Sequence, residues 1–249
     1  MPTNHTPGPP TPNAPTPRSS TPGSGDAPAL HLYVLLDRSG SMATMADDVI
    51  GGFNRLLADQ QADGPDARMT LVQFDSEDAQ EVLADALPIT EMVAIDRSTF
   101  VPRGATPLLD ATGVLLGRAA SRASVLASVG QPTEEVVVVS ITDGQENASR
   151  EFSLGTVRRL IDDRTREGWT FVFLGAALDV YGEAGGLGYG PGNTQSFASS
   201  SDGAVAAFSS LSQATSNMRS KVRRSERFDK GDFFKEGKPA EEHRRRSGR

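Results

Sequence analysis

Three runs of consecutive apolar residues constrain the fold of this chain more than any other feature. The runs are ALHLYVLL at 29–36, EVVVVSI at 135–141 and WTFVFL at 169–174. A strand that is covered on both faces is apolar along almost its whole length, whereas a half-exposed strand alternates apolar and polar residues. Three further strands are predicted, the second of them as an alternating edge strand, at 69–74, 81–87 and 194–198.

Between these runs, apolar residues recur every three or four positions, which is the pattern of an amphipathic helix. The pattern predicts helices that begin at Met42, at Leu108, after the N-cap residue Ser153 and at Asp202, and the third of these ends at Gly168. In the last helix, Val205, Phe208, Leu211, Met218 and Val222 are predicted to share one face. Buried strands that alternate with amphipathic helices indicate an α/β fold, a doubly wound and mostly parallel sheet with helices on both faces.

The ends of the chain differ from this body in composition. Residues 1–28 hold 9 of the 16 prolines and almost no apolar residues, a composition typical of a disordered or polyproline-like arm. We therefore predict one domain at 29–225, preceded by this Pro/Thr-rich arm and followed by a basic tail at 226–249. The tail contrasts with a formal net charge of -7 for the whole chain.

Composition also excludes several classes of protein. The chain has no cysteine, which rules out a disulfide scaffold, a zinc-thiolate site and a thiolate nucleophile. The first residues lack the basic start and apolar stretch of a signal peptide, and no run approaches the roughly 18 apolar residues of a membrane span. We expect a cytoplasmic protein without a membrane span.

The first apolar run ends in a loop that presents oxygen atoms on alternate residues. Asp37, Ser39 and Ser41 lie at the carboxyl end of the first predicted strand, where open parallel sheets bind their ligands. One carboxylate and two hydroxyls in this spacing suit Mg²⁺ or Mn²⁺, which prefer hard oxygen ligands. The structural alternative is that Ser39 or Ser41 caps the following helix and that Asp37 favours its N-terminus.

Two other segments strengthen the metal interpretation. Asp143 follows the second apolar run, and Thr106 precedes Pro107 at the entrance of a predicted helix. Each has an ordinary explanation, since Asp-Gly is a common turn pair and threonine before proline is a good N-cap. Their joint occurrence nevertheless predicts that two carboxylates and three hydroxyls meet at one edge of the sheet, enough for most of an octahedral oxygen site.

At these residues the chain resembles the von Willebrand factor type A (vWA) domain family. The metal-ion-dependent adhesion site (MIDAS) of that family is an Asp-x-Ser-x-Ser loop with a distant Thr and a distant Asp, and Asp37, Ser39, Ser41, Thr106 and Asp143 match all five positions. The resemblance covers about residues 29–225 and is weaker after Leu174. The stretch ITDGQENASREFS followed by WTFVFLGA is similar to an intracellular bacterial branch of the family.

The resemblance implies a specific fold, ligand set and partner. It implies six strands in the order 3-2-1-4-5-6, with the third strand antiparallel. It also implies that Ser39, Ser41 and sometimes Thr106 bind the metal directly, and that Asp37 and Asp143 often act through water. Because such a shell of hydroxyls and water leaves much of the ion's charge in place, the next ligand expected is an Asp or Glu of a protein partner.

A magnesium-dependent phosphohydrolase with Asp37 as nucleophile is the enzyme alternative. Phosphohydrolases of the haloacid dehalogenase type have a second Asp two residues after the first, where this chain has Ser39, and they use a lysine, whereas all four lysines here lie at or after position 221. The chain has neither a G-x-S-x-G elbow nor a G-x-x-x-x-G-K-[ST] loop, and none of its three histidines lies near the predicted site. We expect no catalytic activity and no small-molecule substrate.

A second alternative assigns a nucleic-acid or membrane-surface role to the basic tail. Residues 219–249 carry 12 Lys or Arg against 6 Asp or Glu. Cations at the C-terminus of a helix also complement its dipole, and the rest of the chain is acidic and repels phosphate backbones. Nucleic acid is therefore not the expected partner. Phe228, Phe233 and Phe234 instead suggest that part of the tail packs onto the domain or docks on a partner.

Overall fold

The computed structural model describes residues 30–176, 179–198 and 200–235. The strands in this part of the chain are β1 Leu30–Asp37, β2 Ala67–Phe74, β3 Glu81–Pro88, β4 Glu135–Thr142, β5 Thr170–Gly175 and β6 Thr194–Ser196. The α-helices in it are α1 Ala46–Ala62, α2 Leu108–Ser128, α3 Leu154–Arg166, α4 Val180–Leu187 and α5 Ser201–Arg223. Short 3-10 turns occupy Gly40–Met45, Ile89–Glu91 and Pro191–Asn193.

The strands form one sheet in the order β3-β2-β1-β4-β5-β6. The edge strand β3 pairs antiparallel with β2, and the other neighbouring strands are parallel. Within the central pairs, Tyr33 of β1 lies opposite Thr70 of β2 and Val138 of β4. The predicted strand order and the reversed third strand are confirmed.

Helices cover both faces of the sheet, as predicted. Alternate residues of β1 point to opposite faces, because successive side chains of a strand do so. Leu32 and Val34 belong to the core cluster that also contains residues of α1 and α5. Tyr33 and Leu35 belong to the cluster formed with α2, α3 and α4. Burial on both faces explains why the central strands are apolar along their length.

The helix boundaries agree with the prediction except at the first helix. Ser153 caps α3, since its Oγ accepts from the backbone N–H of Thr156 at 3.2 Å. The first helix was expected to begin at Met42, but α1 begins at Ala46 because residues 40–45 form a 3-10 turn. The tighter turn still buries Met42 and Met45 in the core.

Two further features of the helices differ from the sequence prediction. Val205 of α5 was expected on the apolar face, yet its side chain is 56% exposed. The helix α4 lies in a glycine-rich stretch for which no helix was predicted. In the part of the chain that the structure covers, no helix combines the length and the apolar character needed to cross a bilayer.

Residues 226–235 pack onto the domain. Phe233 and Phe234 are buried in the cluster that includes α1 and α5. Asn193 holds this segment from both sides, since its Oδ1 accepts from the N–H of Phe233 at 2.9 Å and its Nδ2 donates to the carbonyl of Lys230 at 2.7 Å. The proline-rich arm at 1–28 and the end of the basic tail at 236–249 lie outside the described residues.

Candidate metal centre

The candidate site lies at the carboxyl ends of two neighbouring parallel strands. Asp37 is the last residue of β1, and Asp143 directly follows β4. Because β1 and β4 are parallel and paired, both residues lie at the same edge of the sheet. The predicted first and last ligands of the site are therefore neighbours in space although they are far apart in sequence.

Hydrogen bonds connect the carboxylates to the serines of the first loop. Ser41 Oγ donates to Asp143 Oδ1 at 2.7 Å and lies 3.0 Å from Ser39 Oγ. Asp37 accepts from the backbone N–H of Ser39 at 2.7 Å and from the hydroxyl of Thr142 at 2.5 Å. These contacts fix the orientation of both carboxylates, with Ser39 buried and Ser41 exposed.

Gly144 marks the point on which the oxygens converge. A Cβ atom at this residue would lie 3.0 Å from Thr106 Oγ1, 3.5 Å from Ser41 Oγ and 3.8 Å from Asp37 Oδ2. Oxygen atoms from two separate segments, the loop of Asp37 and Ser41 and the loop of Thr106, thus surround a small space that glycine leaves open. The structure brings together all five residues that the sequence predicted for this site.

Burial makes the site unfavourable for uncompensated negative charge. Burial, with a smaller contribution from the nearby Asp143, raises the pKa of Asp37 to about 6, and the hydrogen bonds from Thr142 and Ser39 oppose this. Burial also raises the pKa of the Asp143 carboxyl, although the hydrogen bond from Ser41 opposes this. Among the described residues, neither carboxylate forms an ion pair. A cation at this point would stabilise both ionised carboxylates.

The donor set fits a hard divalent cation. Two carboxylates and three hydroxyls supply only oxygen, which Mg²⁺ and Mn²⁺ prefer. Within residues 30–176, 179–198 and 200–235, no group of three or more His, Cys, Asp or Glu side chains is placed to hold a metal. A metal at this edge therefore depends on the hydroxyls as well as on the carboxylates.

The loop of Ser39 and Ser41 is fastened to the loop of Thr106 by backbone hydrogen bonds. The N–H of Gly40 donates to the carbonyl of Gly104 at 3.1 Å, and the N–H of Arg103 donates to the carbonyl of Arg38 at 2.8 Å. Gly104 has a φ of 65°, and a Cβ there would lie only 2.6 Å from Ser76 Oγ. Glycine is thus required where the two loops meet.

A buried carboxylate lies beneath these loops, and the sequence analysis missed it. Asp75 Oδ2 accepts from Arg38 Nε at 2.7 Å and from Arg103 Nε at 2.9 Å. Asp75 Oδ1 accepts from the backbone N–H groups of Glu77 at 2.7 Å and Asp78 at 3.0 Å. Burial alone would raise the pKa of Asp75, but these N–H groups and the two guanidinium groups outweigh it and hold the pKa below its usual value. Asp75 is therefore ionised and joins both loops.

The helix-cap explanations of the serines and threonine do not agree with the geometry. Ser39 precedes the 3-10 turn without a side-chain cap hydrogen bond. The helix α2 begins at Leu108, so that Pro107 and not Thr106 occupies the N-cap position. The N–H of Leu109, in the first turn, instead donates to Glu146 Oε2 at 2.9 Å. A carboxylate from a distant loop thus caps α2 and leaves the Thr106 hydroxyl facing the site.

The loop after β4 holds Thr106 in place through its main chain. The N–H of Thr106 donates to Asn147 Oδ1 at 2.9 Å, and the N–H of Asn147 donates to the carbonyl of Thr106 at 3.1 Å. Asn147 and Glu146 belong to the motif that the sequence analysis used only for family resemblance. The polar character of these two residues, so soon after Asp143, is the one feature of the sequence that could have indicated that they hold the loop of Thr106 and the start of α2.

Most cations in the described part of the basic segment already have structural partners. Arg219 is fully buried and donates to the carbonyl of Gln60 and to Asp66 Oδ1, at 2.7 and 2.5 Å. Arg223 pairs with Asp63 and Asp66. These ion pairs weaken the alternative in which the end of α5 binds nucleic acid. The arginines at 244–246 lie outside the described residues.

The sequence of this chain matches no family model. It matches no curated protein either.

Several solved structures are similar to this chain in fold. The pilus adhesin SpaC from Lactobacillus rhamnosus GG is similar at a TM-score of 0.56 and 12% identity, over 78% of this chain and 31% of SpaC. SpaC in its open conformation is similar at a TM-score of 0.54 and 13% identity, over 78% of this chain and 30% of SpaC. Proximal thread matrix protein 1 from the mussel byssus is similar at a TM-score of 0.50 and 18% identity, over 76% of this chain and 47% of the thread protein. The chain thus spans about a third of SpaC and half of the thread protein. With the observed strand order, these likenesses show that the chain has a vWA-like fold.

Proposed function

We propose that this chain is a divalent-metal-dependent protein-interaction module. Mg²⁺ or Mn²⁺ is held by Asp37, Ser39, Ser41, Thr106 and Asp143, and an Asp or Glu of a protein partner completes the site. The observation that carries the proposal is the space in front of Gly144, which oxygens of Thr106, Ser41 and Asp37 surround. A complete MIDAS of this kind, in a chain of the intracellular bacterial branch, is the assignment proposed from the sequence.

The chain's own residues explain why the site would recruit an acidic side chain. A metal ion bound here supplies positive charge to an otherwise acidic edge. Thr142 and the N–H of Ser39 hold the Asp37 carboxylate, and Ser41 holds that of Asp143. Since the three hydroxyls are neutral, the ligands do not cancel the ion's charge in full, and an anionic oxygen of the partner is attracted.

Binding without chemical turnover is the second element of the proposal. His31 is the one histidine among the described residues, and it lies in β1 six residues before Asp37, bound to Glu134 and Thr70. Lys230 pairs with Glu135 and contacts the carbonyl of Gly168, far from this edge. Neither residue is placed to act as a base or to neutralise a phosphate there, which supports a binding role.

The structural neighbours do not carry this proposal. SpaC is a pilus adhesin, but a shared fold at such low identity does not transfer a role. The cytoplasmic location likewise remains a prediction from the sequence.

The first test is a metal titration followed by unfolding. Protein stripped with chelator should gain about 2.7 kcal/mol of unfolding free energy when the metal is at a hundredfold excess over its dissociation constant. Ser41→Ala should reduce this gain because it removes one ligand. Asp162→Ala, on the exposed surface of α3, is the matched control and should keep the gain. An unfolding midpoint that does not respond to millimolar Mg²⁺ or Mn²⁺ would contradict the proposal.

The second test is partner capture from lysate in Mg²⁺ and in chelator. We expect wild type to capture a partner only in Mg²⁺, and Asp143→Ala to capture none while it remains folded. Equal capture in chelator would overturn the metal-dependent role. Hydrolysis of phosphate esters by the pure protein, abolished in Asp37→Asn, would favour the phosphohydrolase alternative.

A further inference from the structure

A groove of about 330 Å³ lies beside the candidate metal centre. It runs between the start of α2, the loop after β4 and the helix α4. Its walls include the side chains of Leu109, Leu154 and Leu187, and Gly186 forms part of its floor. We call this feature the leucine groove. Its volume is at the small end of the range for ligand pockets, which suits one or two side chains.

The leucine groove is continuous with the metal centre. Gln145 lines the groove and lies two residues after Asp143. Since consecutive Cα atoms are about 3.8 Å apart, the Cα atoms of these two residues are separated by about 7.6 Å at most. One bound segment can therefore contact both features.

Side chains of the domain do not fill the leucine groove. Leu154 is 49% exposed, whereas Val157 and Ile161 of the same helix are fully buried. A Cβ atom built on Gly186 would meet no atom within 4 Å. An exposed leucine and an unfilled glycine in the lining of the same groove leave apolar surface that a partner can bury.

The two carboxylates at the groove are occupied by hydrogen bonds to different extents. Glu146 Oε2 accepts from the N–H of Leu109 and from the Ser149 hydroxyl, and its Oε1 accepts from the N–H of Ala148. Glu183 Oε1 accepts from the N–H of Glu146 at 3.3 Å, and its Oε2 is buried without a hydrogen-bond partner among the described residues. The accessible lining is mostly apolar, and the nearby carboxylates disfavour an acidic side chain in the groove.

We propose that the leucine groove binds a large aliphatic side chain of the same partner segment that supplies the acidic residue. In an extended segment, residues two positions apart point to the same side and lie about 6.6–6.8 Å apart. This spacing is comparable with the upper limit of about 7.6 Å for the Cα separation of Asp143 and Gln145. The partner motif is therefore an acidic residue with a leucine-like residue two positions away. This inference rests on the proposed function and adds the specificity that an acidic residue alone lacks.

Synthetic peptides test the motif directly. The probes are acetyl-Leu-Gly-Asp-Gly-Leu-amide and the same peptide with serine or with lysine in place of both leucines. In Mg²⁺ we expect the leucine peptide to bind about tenfold more tightly than the serine peptide, the factor given by partial burial of one leucine. Equal affinity of the leucine and serine peptides, or tighter binding of the lysine peptide, would overturn the aliphatic assignment. Failure of the leucine peptide to bind at all would also overturn it.

Two adjacent glycines of α4 provide a matched pair of variants. Gly186→Leu fills the groove and should reduce the affinity for the leucine peptide to that for the serine peptide. Gly185→Leu also adds a side chain where no atom lies within 4 Å, but Gly185 does not line the groove, so that this variant should bind both peptides as wild type does. The same effect of both variants would contradict the assignment.

The metal response separates the two proposals. Mg²⁺ should raise the unfolding midpoint of both glycine variants as it does for wild type, because neither residue is a proposed ligand. If Mg²⁺ stabilises the protein and the serine and leucine peptides bind equally, the groove inference fails and the proposed function stands. If Mg²⁺ has no effect on wild type, the proposed function itself has failed.

Discussion

Arg38 Nε lies 2.7 Å from Asp75 Oδ2, and both side chains are almost completely buried. Arg38 sits between Asp37 and Ser39 in the sequence, and Asp75 directly follows β2. The same carboxylate oxygen accepts from Arg103, at the start of the loop that carries Thr106. A single buried charge, together with the backbone hydrogen bonds between the loops, therefore joins two of the three segments that form the candidate metal centre.

Replacement of Asp75 should weaken both the fold and the metal site. Asp75→Ala leaves the buried Arg38 guanidinium with Glu81 and Gln73 as partners, so the cost should lie near the lower end of the about 3–5 kcal/mol for removal of one member of a buried pair. We also expect weaker Mg²⁺ binding, because in the described part of the chain only the backbone hydrogen bonds then join the two loops. Urea unfolding in chelator and a Mg²⁺ titration measure the two effects separately. Asp47→Ala breaks an exposed ion pair with Arg97 and serves as the control, with little effect on either quantity.

The space in front of Gly144 provides a second prediction. Gly144→Ala places a methyl group 3.0 Å from Thr106 Oγ1 and within 4 Å of two other proposed ligand atoms. The variant should lose the stabilisation by Mg²⁺ and keep most of its stability in chelator. Gly155→Ala adds the same methyl group on α3, where no atom lies within 4 Å, and should retain the full metal response. An unchanged metal response in Gly144→Ala would place the ion elsewhere.

A charged network at the opposite end of the sheet contributes to stability. Glu134 accepts from both Nε and Nη2 of Arg122, at 2.9 and 2.7 Å. His31 Nδ1 lies 2.9 Å from the same carboxylate, and His31 Nε2 lies 2.9 Å from the Thr70 hydroxyl. Burial alone would raise the pKa of Glu134, but the hydrogen bonds from Arg122 and His31 lower it to about 2.

This network predicts a pH-dependent effect of Glu134→Gln. Because the folded-state pKa of Glu134 is below its unfolded value, the stabilisation is complete above about pH 4.5 and is lost as the pH falls through about 2. The variant should be less stable than wild type by about 3 kcal/mol near neutral pH, and the difference should shrink below about pH 4.5. Denaturant unfolding at several pH values measures it. Glu167→Gln, which removes a surface ion pair with Arg164, is the control and should change the unfolding free energy by less than about 1 kcal/mol.

The sequence predicted the sheet well because a strand that is buried on both faces is apolar along almost its whole length. The predicted bounds of β1, β4 and β5 agree with the structure to within a residue where it describes them. Asp37 and Asp143 stand at the ends of neighbouring parallel strands, which is why the sequence could place them close together. That these two residues and Ser39, Ser41 and Thr106 bind a metal stays a prediction.

Contacts between distant segments could not be predicted in this way. Arg38 and Asp75 are 37 residues apart and meet only because β1 pairs with β2. The helix α4 contains Gly182, Gly185 and Gly186, which are poor helix formers, so that its pattern gave no helix. Its stability comes instead from the N-cap Asp179, whose Oδ1 accepts from the N–H of Gly182 at 3.0 Å, and from packing against α3 and β6. Without α4 the leucine groove has no floor, which explains why the sequence analysis missed it.

The buried arginine of α5 distinguishes a structural role of the basic segment from a nucleic-acid-binding one. Arg219→Leu removes the donor to the carbonyls of Gln60 and Gly64 and to the Asp66 carboxylate, and should lower the unfolding free energy by about 3–5 kcal/mol. Arg227→Leu, at an exposed position, should leave stability unchanged. Denaturant unfolding of the two variants provides this comparison. If the basic segment from Arg219 onward instead served to bind phosphate backbones, both variants would retain stability and lose affinity for duplex DNA at low salt. Full burial of the Arg219 side chain argues for the first result, because a guanidinium with no exposed surface cannot reach a phosphate.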